Sequence, residues 1–139
     1  MSREAISYIT KVMNLLSADE LNSFYNGCGS SIHVLRMFRL PDIYAKKFKT
    51  CCDWHDIAYW VGGSWEDRAA YDKEFYRRLK SACGKELKSR FWAWVCYCAV
   101  RDGGFASFEY GKKKTVEELK IIAQRRVDTA LQLVIHLDR

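Results

Sequence analysis

The chain has 139 residues, 49% hydrophobic and 29% charged, a balance that excludes disorder and suits one ordinary domain over residues 1–139. One proline and 8 glycines exclude a collagen-like or linker-rich architecture, and no apolar run approaches the ~18 residues of a membrane-crossing helix. A net charge of +6 and a pI near 9.0 favour anionic partners without choosing between nucleic acid and a lipid surface.

In chain order, Ile6, Ile9, Val12, Met13 and Leu16 recur every three or four residues and predict an amphipathic helix over residues 3–16. Ser17-Ala18-Asp19-Glu20 is a capping box, which should start a short helix carrying Leu21 and Phe24. Asn26-Gly27-Cys28-Gly29-Ser30-Ser31 then breaks the chain into a loop. Pro41-Asp42 opens a helix that runs through Phe48, Cys52, Ile57 and Trp60 to a stop at Gly62-Gly63. Ser64 to Asp67 caps the next helix, which reaches about Ala82 and ends at Gly84. Lys85 to Val100 is a third long helix, closed by Gly103-Gly104, and residues 105–111 are a loop or a small hairpin. A capping box at Thr115-Val116-Glu117-Glu118 starts the last helix, Val116 to Leu137. The class is therefore all-α, with no internal repeat and no second domain.

The basic excess is local. One run holds Arg36, Arg39, Lys46, Lys47 and Lys49 against Asp42; another holds Arg77, Arg78, Lys80, Lys85, Lys88 and Arg90. Solvated helix faces are the simplest reading of both, and Lys112-Lys113-Lys114 is a solvated lead-in to the last helix. The first residues lack the basic, apolar, small pattern of a secretion leader, so the compartment stays open between the cell interior and the exterior after leader removal. The 6 cysteines, at 28, 51, 52, 83, 96 and 98, would form a partial disulfide framework in an oxidising compartment and buried thiols in a reducing one. Zinc fits poorly, because Cys51, Cys52, His55, Cys96 and Cys98 lack the paired spacing of a structural site. Trp92 and Trp94 lie about 200° apart on a helix, so at most one faces the core. Trp54, Trp60 and Trp65 are candidates for a lipid-facing mouth, with plain packing as the simpler reading.

Chemistry concentrates in Cys51-Cys52-Asp53-Trp54-His55-Asp56-Ile57-Ala58-Tyr59. On a helix Tyr59 lies one turn beyond His55, on the same face, while Asp56 points about 100° away. Asp56 therefore does not couple to His55; the two could instead aim a base and a metal-binding carboxylate at one side of the helix. Asp72, on the next helix after the Gly62-Gly63 reversal, is a candidate to orient the imidazole and fix its tautomer. His33 and His136 have no partner signal.

These residues resemble the secreted phospholipase A2 superfamily, which carries a Cys-Gly loop followed by Cys-Cys-x-x-His-Asp on a helix. Here the loop is Gly27-Cys28-Gly29-Ser30-Ser31 and the helix segment is Cys51 to Tyr59. Tyr71-Asp72-Lys73-Glu74-Phe75-Tyr76-Arg77-Arg78-Leu79-Lys80 follows the insect-venom type in order and register, so that the resemblance spans about residues 25–80. It implies two antiparallel central helices, a calcium-binding loop and extra C-terminal helices. It also implies calcium-dependent hydrolysis of the sn-2 ester of glycerophospholipids at a membrane surface. By position, His55 resembles the general base, Asp72 the carboxylate that orients it, and Tyr59 the tyrosine that holds that carboxylate. Asp56 and the carbonyls of Gly27, Gly29 and Ser31 resemble the calcium ligands, and the Gly29 N–H an oxyanion donor. A lone His-Asp dipeptide more commonly marks a satisfied, partly buried histidine; as the base, His55 is expected to be an exposed imidazole.

Three departures accompany the match. Ser31 stands where the family has a second loop glycine, Ala58 and Tyr71 replace two bridging cysteines, and Arg78 replaces the partner of Cys51. The helix pair is therefore expected to be held by packing through Trp60, Tyr71 and Phe75. The resemblance implies a Cys28–Cys52 bridge, with Cys51 pairing with Cys83, Cys96 or Cys98 or staying free. The rival reading is a catalytically weak or inactive basic helical module that binds membrane or protein. Nothing resembles a nucleic-acid motif, so no nucleic-acid partner is expected.

Overall fold

The computed structural model describes residues 2–26 and 40–138, which form seven α-helices and their connections. α1 (Ser2–Leu15) buries Ala5, Ile9 and Val12, one face at the expected spacing. α2 (Ala18–Phe24) starts on the capping box: Ser17 Oγ accepts from the Glu20 N–H, and the Glu20 carboxylate accepts from the Ser17 N–H.

The single helix expected from Pro41 to Trp60 is two helices, α3 (Asp42–Lys47) and α4 (Lys49–Val61). The break falls at Phe48, whose backbone (φ −97°, ψ 3°) leaves helical geometry while its ring is fully buried. Hydrogen bonding runs on through the corner, because Phe48 donates to the Tyr44 carbonyl and accepts from the Cys52 N–H. Apolar spacing is blind to such a break: the anchoring residue belongs to the buried face of both segments.

α4 ends at Gly62 (φ 76°), and α5 (Trp65–Cys83) begins on the Ser64–Asp67 box. A Cβ on Gly62 would stand 1.9 Å from the Glu109 carbonyl oxygen, so both the turn and the neighbouring chain require glycine there. The pair is antiparallel: Tyr59 meets Asp72, His55 meets Phe75, and Trp54 meets Arg78. Around Tyr71 and Arg78 it is stapled without covalent help. The Arg78 guanidinium lies 4.5 Å over the Trp54 ring, and the buried Tyr71 sets its ring edge-on to Trp54 and donates to the Gly62 carbonyl. Trp60 does not join this interface. It packs on Phe24 at 5.2 Å and under Arg126, on the α2 side of the molecule.

α6 (Leu87–Gly103) lies along α5, beginning and ending slightly later than expected. Residues 105–111 form a loop, not a hairpin. A 3₁₀ turn (Gly104–Ala106) leads to a single parallel bridge between Tyr110 and Gly63, where Gly63 donates to Glu109 and Gly111 donates to Gly63. α7 (Val116–Leu137) buries Leu119 and Ala123, packs on α2, and from Val127 onward buries nothing among its described residues. No described helix is long and apolar enough to cross a membrane.

Among the described residues the core has two apolar clusters. One joins α1, α2, α7 and the C-terminal half of α4; the other joins α3, α6 and the N-terminal half of α4. α5 contributes Tyr71 to the first and Phe75, Leu79 and Cys83 to the second. His55 and Asp72 sit where the two clusters meet.

Candidate active site

α4 and α5 bring His55, Tyr59 and Asp72 together. His55 Nε2 lies 2.7 Å from Asp72 Oδ1, and the Tyr59 hydroxyl donates to the same oxygen at 2.7 Å. A one-turn offset between His55 and Tyr59 on α4 suffices for both to reach one carboxylate oxygen on the facing helix. With Asp72 as acceptor, Nε2 carries the proton and Nδ1 presents a lone pair, the tautomer a general base needs. Nδ1 has no partner among the described residues.

The imidazole is not the exposed one expected of the base; it is buried and hydrogen-bonded, as the blander reading of the His-Asp dipeptide has it. His55 is 6% exposed, with its ring between those of Tyr59 (4.2 Å) and Phe75 (4.4 Å). A position on the outer face of an isolated helix becomes an interior position once α5 closes over it. Tyr59 is buried as well, edge-on to Phe108 at 5.0 Å. Burial, then the charge of Asp72, pushes its phenol far above the ordinary tyrosine range, so it remains a hydroxyl donor.

Asp72 is completely buried, and its second oxygen is claimed by two arginines that sequence reasoning missed. Arg101 Nη1 donates to Oδ2 at 2.8 Å, and Arg68 Nε lies 3.9 Å from it. Arg68 also donates to the Tyr59 hydroxyl at 3.2 Å and to the carbonyls of Val100 (2.9 Å) and Arg101 (2.8 Å). Burial pulls the Arg68 pKa down, but the Tyr59 bond and the Asp72 charge outweigh it and hold the pKa above the ordinary value. Arg68 precedes Asp72 by four residues, an ion-pair spacing legible in the sequence. Arg101 carries no such signal, because α6 is brought to the site by tertiary packing alone. Gly104 was also missed as a site residue: a Cβ there would stand 2.5 Å from the Tyr59 hydroxyl oxygen.

Asp56 lies apart from this cluster, half-buried, with Oδ2 accepting the Asn26 N–H at 2.9 Å. The other expected calcium ligands, Gly27, Gly29 and Ser31, lie outside the described residues, as does Cys28. Among the described residues no group of three or more His, Cys, Asp or Glu side chains converges on a common point. Cys51, Cys83, Cys96 and Cys98 are free thiols. Cys51, Cys83 and Cys96 share the second core cluster, whereas Cys98 is half-buried on another face. The three candidate mouth tryptophans diverge: Trp54 is buried, Trp60 half-buried, and Trp65 exposed. Comparison with family models, with curated proteins and with solved structures finds no match for this chain.

Proposed function

We propose that the protein is a phospholipase A2-like hydrolase that cleaves the sn-2 ester of glycerophospholipids at a membrane surface. The observation that carries this reading is the buried His55 Nε2–Asp72 Oδ1 contact at 2.7 Å, with Nδ1 left to accept a proton. In this account His55 Nδ1 takes the proton of an attacking water, Asp72 stabilises the imidazolium that forms, and Tyr59 holds Asp72 in place. A general base used this way contributes on the order of 10²–10⁴ in rate.

Asp56, with the carbonyls of Gly27, Gly29 and Ser31, would hold calcium, which supplies positive charge beside the ester carbonyl. The fit is supported by an acceptor-only carboxylate whose oxygen is tied to Asn26, the residue immediately before Gly27. A site with one carboxylate binds weakly, with a dissociation constant on the order of 10⁻⁴–10⁻³ M. Fatty-acid release in calcium and in chelator, for the wild type and Asp56→Asn, tests this. Calcium-dependent release that the substitution removes supports the reading; equal release in all four samples contradicts it.

One observation favours the non-enzymatic alternative, a basic module binding membrane or protein. Arg68 and Arg101 already neutralise Asp72, which reduces the field it can offer an imidazolium. A folded wild type that hydrolyses no phospholipid at millimolar calcium would establish that alternative over the enzyme.

A further inference from the structure

α6 turns one face to the core and, roughly opposite, a second apolar face to solvent. Ser89, Ala93, Cys96 and Val100 are buried, while Leu87, Phe91 and Trp94 are 81%, 56% and 53% exposed. At 3.6 residues per turn these three span an arc of about 60°, centred about 150° from the buried set. Single exposed apolar residues are ordinary, but three in helical register, two of them aromatic, make a continuous patch. The patch rests on fixed neighbours: Phe91 packs edge-on to Trp92, which stacks on Tyr44 of α3.

Cations border it. Lys88 and Arg90 project on either side of the stripe, and neither forms an ion pair among the described residues. At the turn from α5 to α6, beside Leu87, an open groove of about 510 Å³ is lined by Arg77, Lys80, Ser81, Gly84, Lys85 and Arg90, with no carboxylate among them. Arg77 is paired with Glu74, Arg90 donates to the Gly84 carbonyl and Lys80 lies over the Tyr76 ring, whereas Lys85 has no ionic partner among the described residues. Four cations of the second basic run, Arg77, Lys80, Lys85 and Arg90, are thus gathered at one end of an aromatic stripe, while Arg78 is committed to Trp54 and Glu74.

We infer that this face docks on an anionic phospholipid bilayer. Leu87, Phe91 and Trp94 enter the boundary between headgroups and acyl chains, and the cations of the groove engage lipid phosphates. Each cation held near an anionic surface raises binding by about fivefold. A second copy of the chain is the poorer occupant, because a two-fold pairing across the stripe would oppose the same cations to one another. The inference shares a membrane with the proposed hydrolysis but does not depend on its chemistry.

The test is co-sedimentation of the full chain, in chelator, with vesicles of phosphatidylcholine alone or mixed with phosphatidylserine. Binding to the mixed vesicles only, weakened by salt, is expected. Phe91→Ala/Trp94→Ala and Lys85→Glu/Lys88→Glu should each lower it at least tenfold, with circular dichroism unchanged because all four side chains are exposed. Equal binding by wild type and both variants, equal binding to both vesicle types, or no binding would overturn the inference. So would a dimer in sedimentation equilibrium that Phe91→Ala/Trp94→Ala dissolves. A chain that binds the mixed vesicles yet hydrolyses nothing keeps this inference and loses the catalytic one. Hydrolysis of a monomeric short-chain phospholipid without vesicle binding does the reverse.

Discussion

Asp72→Asn keeps the shape of the buried side chain and removes the charge that three of its partners use. The wild-type carboxylate accepts from His55 and Tyr59 on one oxygen and from Arg101 on the other, with Arg68 at 3.9 Å. The asparagine oxygen can still accept on one side, but its NH₂ must then face Arg101 Nη1, donor against donor. Arg68, with its side chain 7% exposed, cannot turn to water, whereas Arg101 at 29% partly can. Breaking a buried ionic cluster by removing one member costs about 3–5 kcal/mol, and the partial exposure of Arg101 argues for about 3 kcal/mol. For a domain of this size that lowers the melting temperature by about 10 °C. Urea and thermal unfolding followed by circular dichroism at pH 7 measure it. The double variant Arg68→Met/Asp72→Asn should lose at least about 1 kcal/mol less than the sum of the singles, since it removes both opposite charges. A single-variant loss below about 1 kcal/mol, or strict additivity, would refute the claim that this carboxylate anchors the cluster.

Three further outcomes follow from the same geometry. Gly104→Ala should push the Tyr59 hydroxyl off Asp72, costing about 1–2 kcal/mol and lowering any hydrolysis about tenfold; unchanged unfolding and turnover would show that the close approach is immaterial. Gly62→Ala should cost clearly more than Gly84→Ala, since both have positive φ but only Gly62 faces a backbone oxygen; similar losses in urea unfolding would contradict this. Burial pushes the Cys96 thiol up to about 12 from an ordinary 9.0, so the folded chain keeps a proton that the unfolded chain gives up. Its contribution to stability is therefore full below about pH 9 and declines above it by up to about 1.4 kcal/mol per pH unit, a slope that Cys96→Ala should flatten in urea unfolding.

What could be read from the sequence was what local chemistry decides. The boxes at Ser17, Ser64 and Thr115 started helices where expected, because each cap is complete within four residues. The antiparallel meeting of His55 with Asp72 was also legible, through motif spacing and the intervening Gly-Gly turn. Features set by tertiary contact were not. Phe48 breaks a helix whose apolar rhythm continues unaltered, and residues 104–111 take their path from the glycines of a distant turn. Arg101 reaches Asp72 only because α6 packs along α5. The burial of His55 was misjudged for the same reason: the rings of Tyr59 and Phe75 enclose it only in the assembled pair.

The most direct test of the hydrolase assignment uses a phosphatidyl lipid labelled in its sn-2 acyl chain, with the wild type and His55→Gln compared at millimolar calcium. Circular dichroism first establishes that both proteins are folded, because the histidine is interior and its replacement can cost stability. The wild type should release labelled fatty acid and unlabelled lysophospholipid, and His55→Gln should lose at least about a hundredfold of that rate. A folded His55→Gln protein that keeps more than about a tenth of wild-type turnover would contradict His55 as the base. Label retained in lysophospholipid would contradict the sn-2 ester as the bond cleaved.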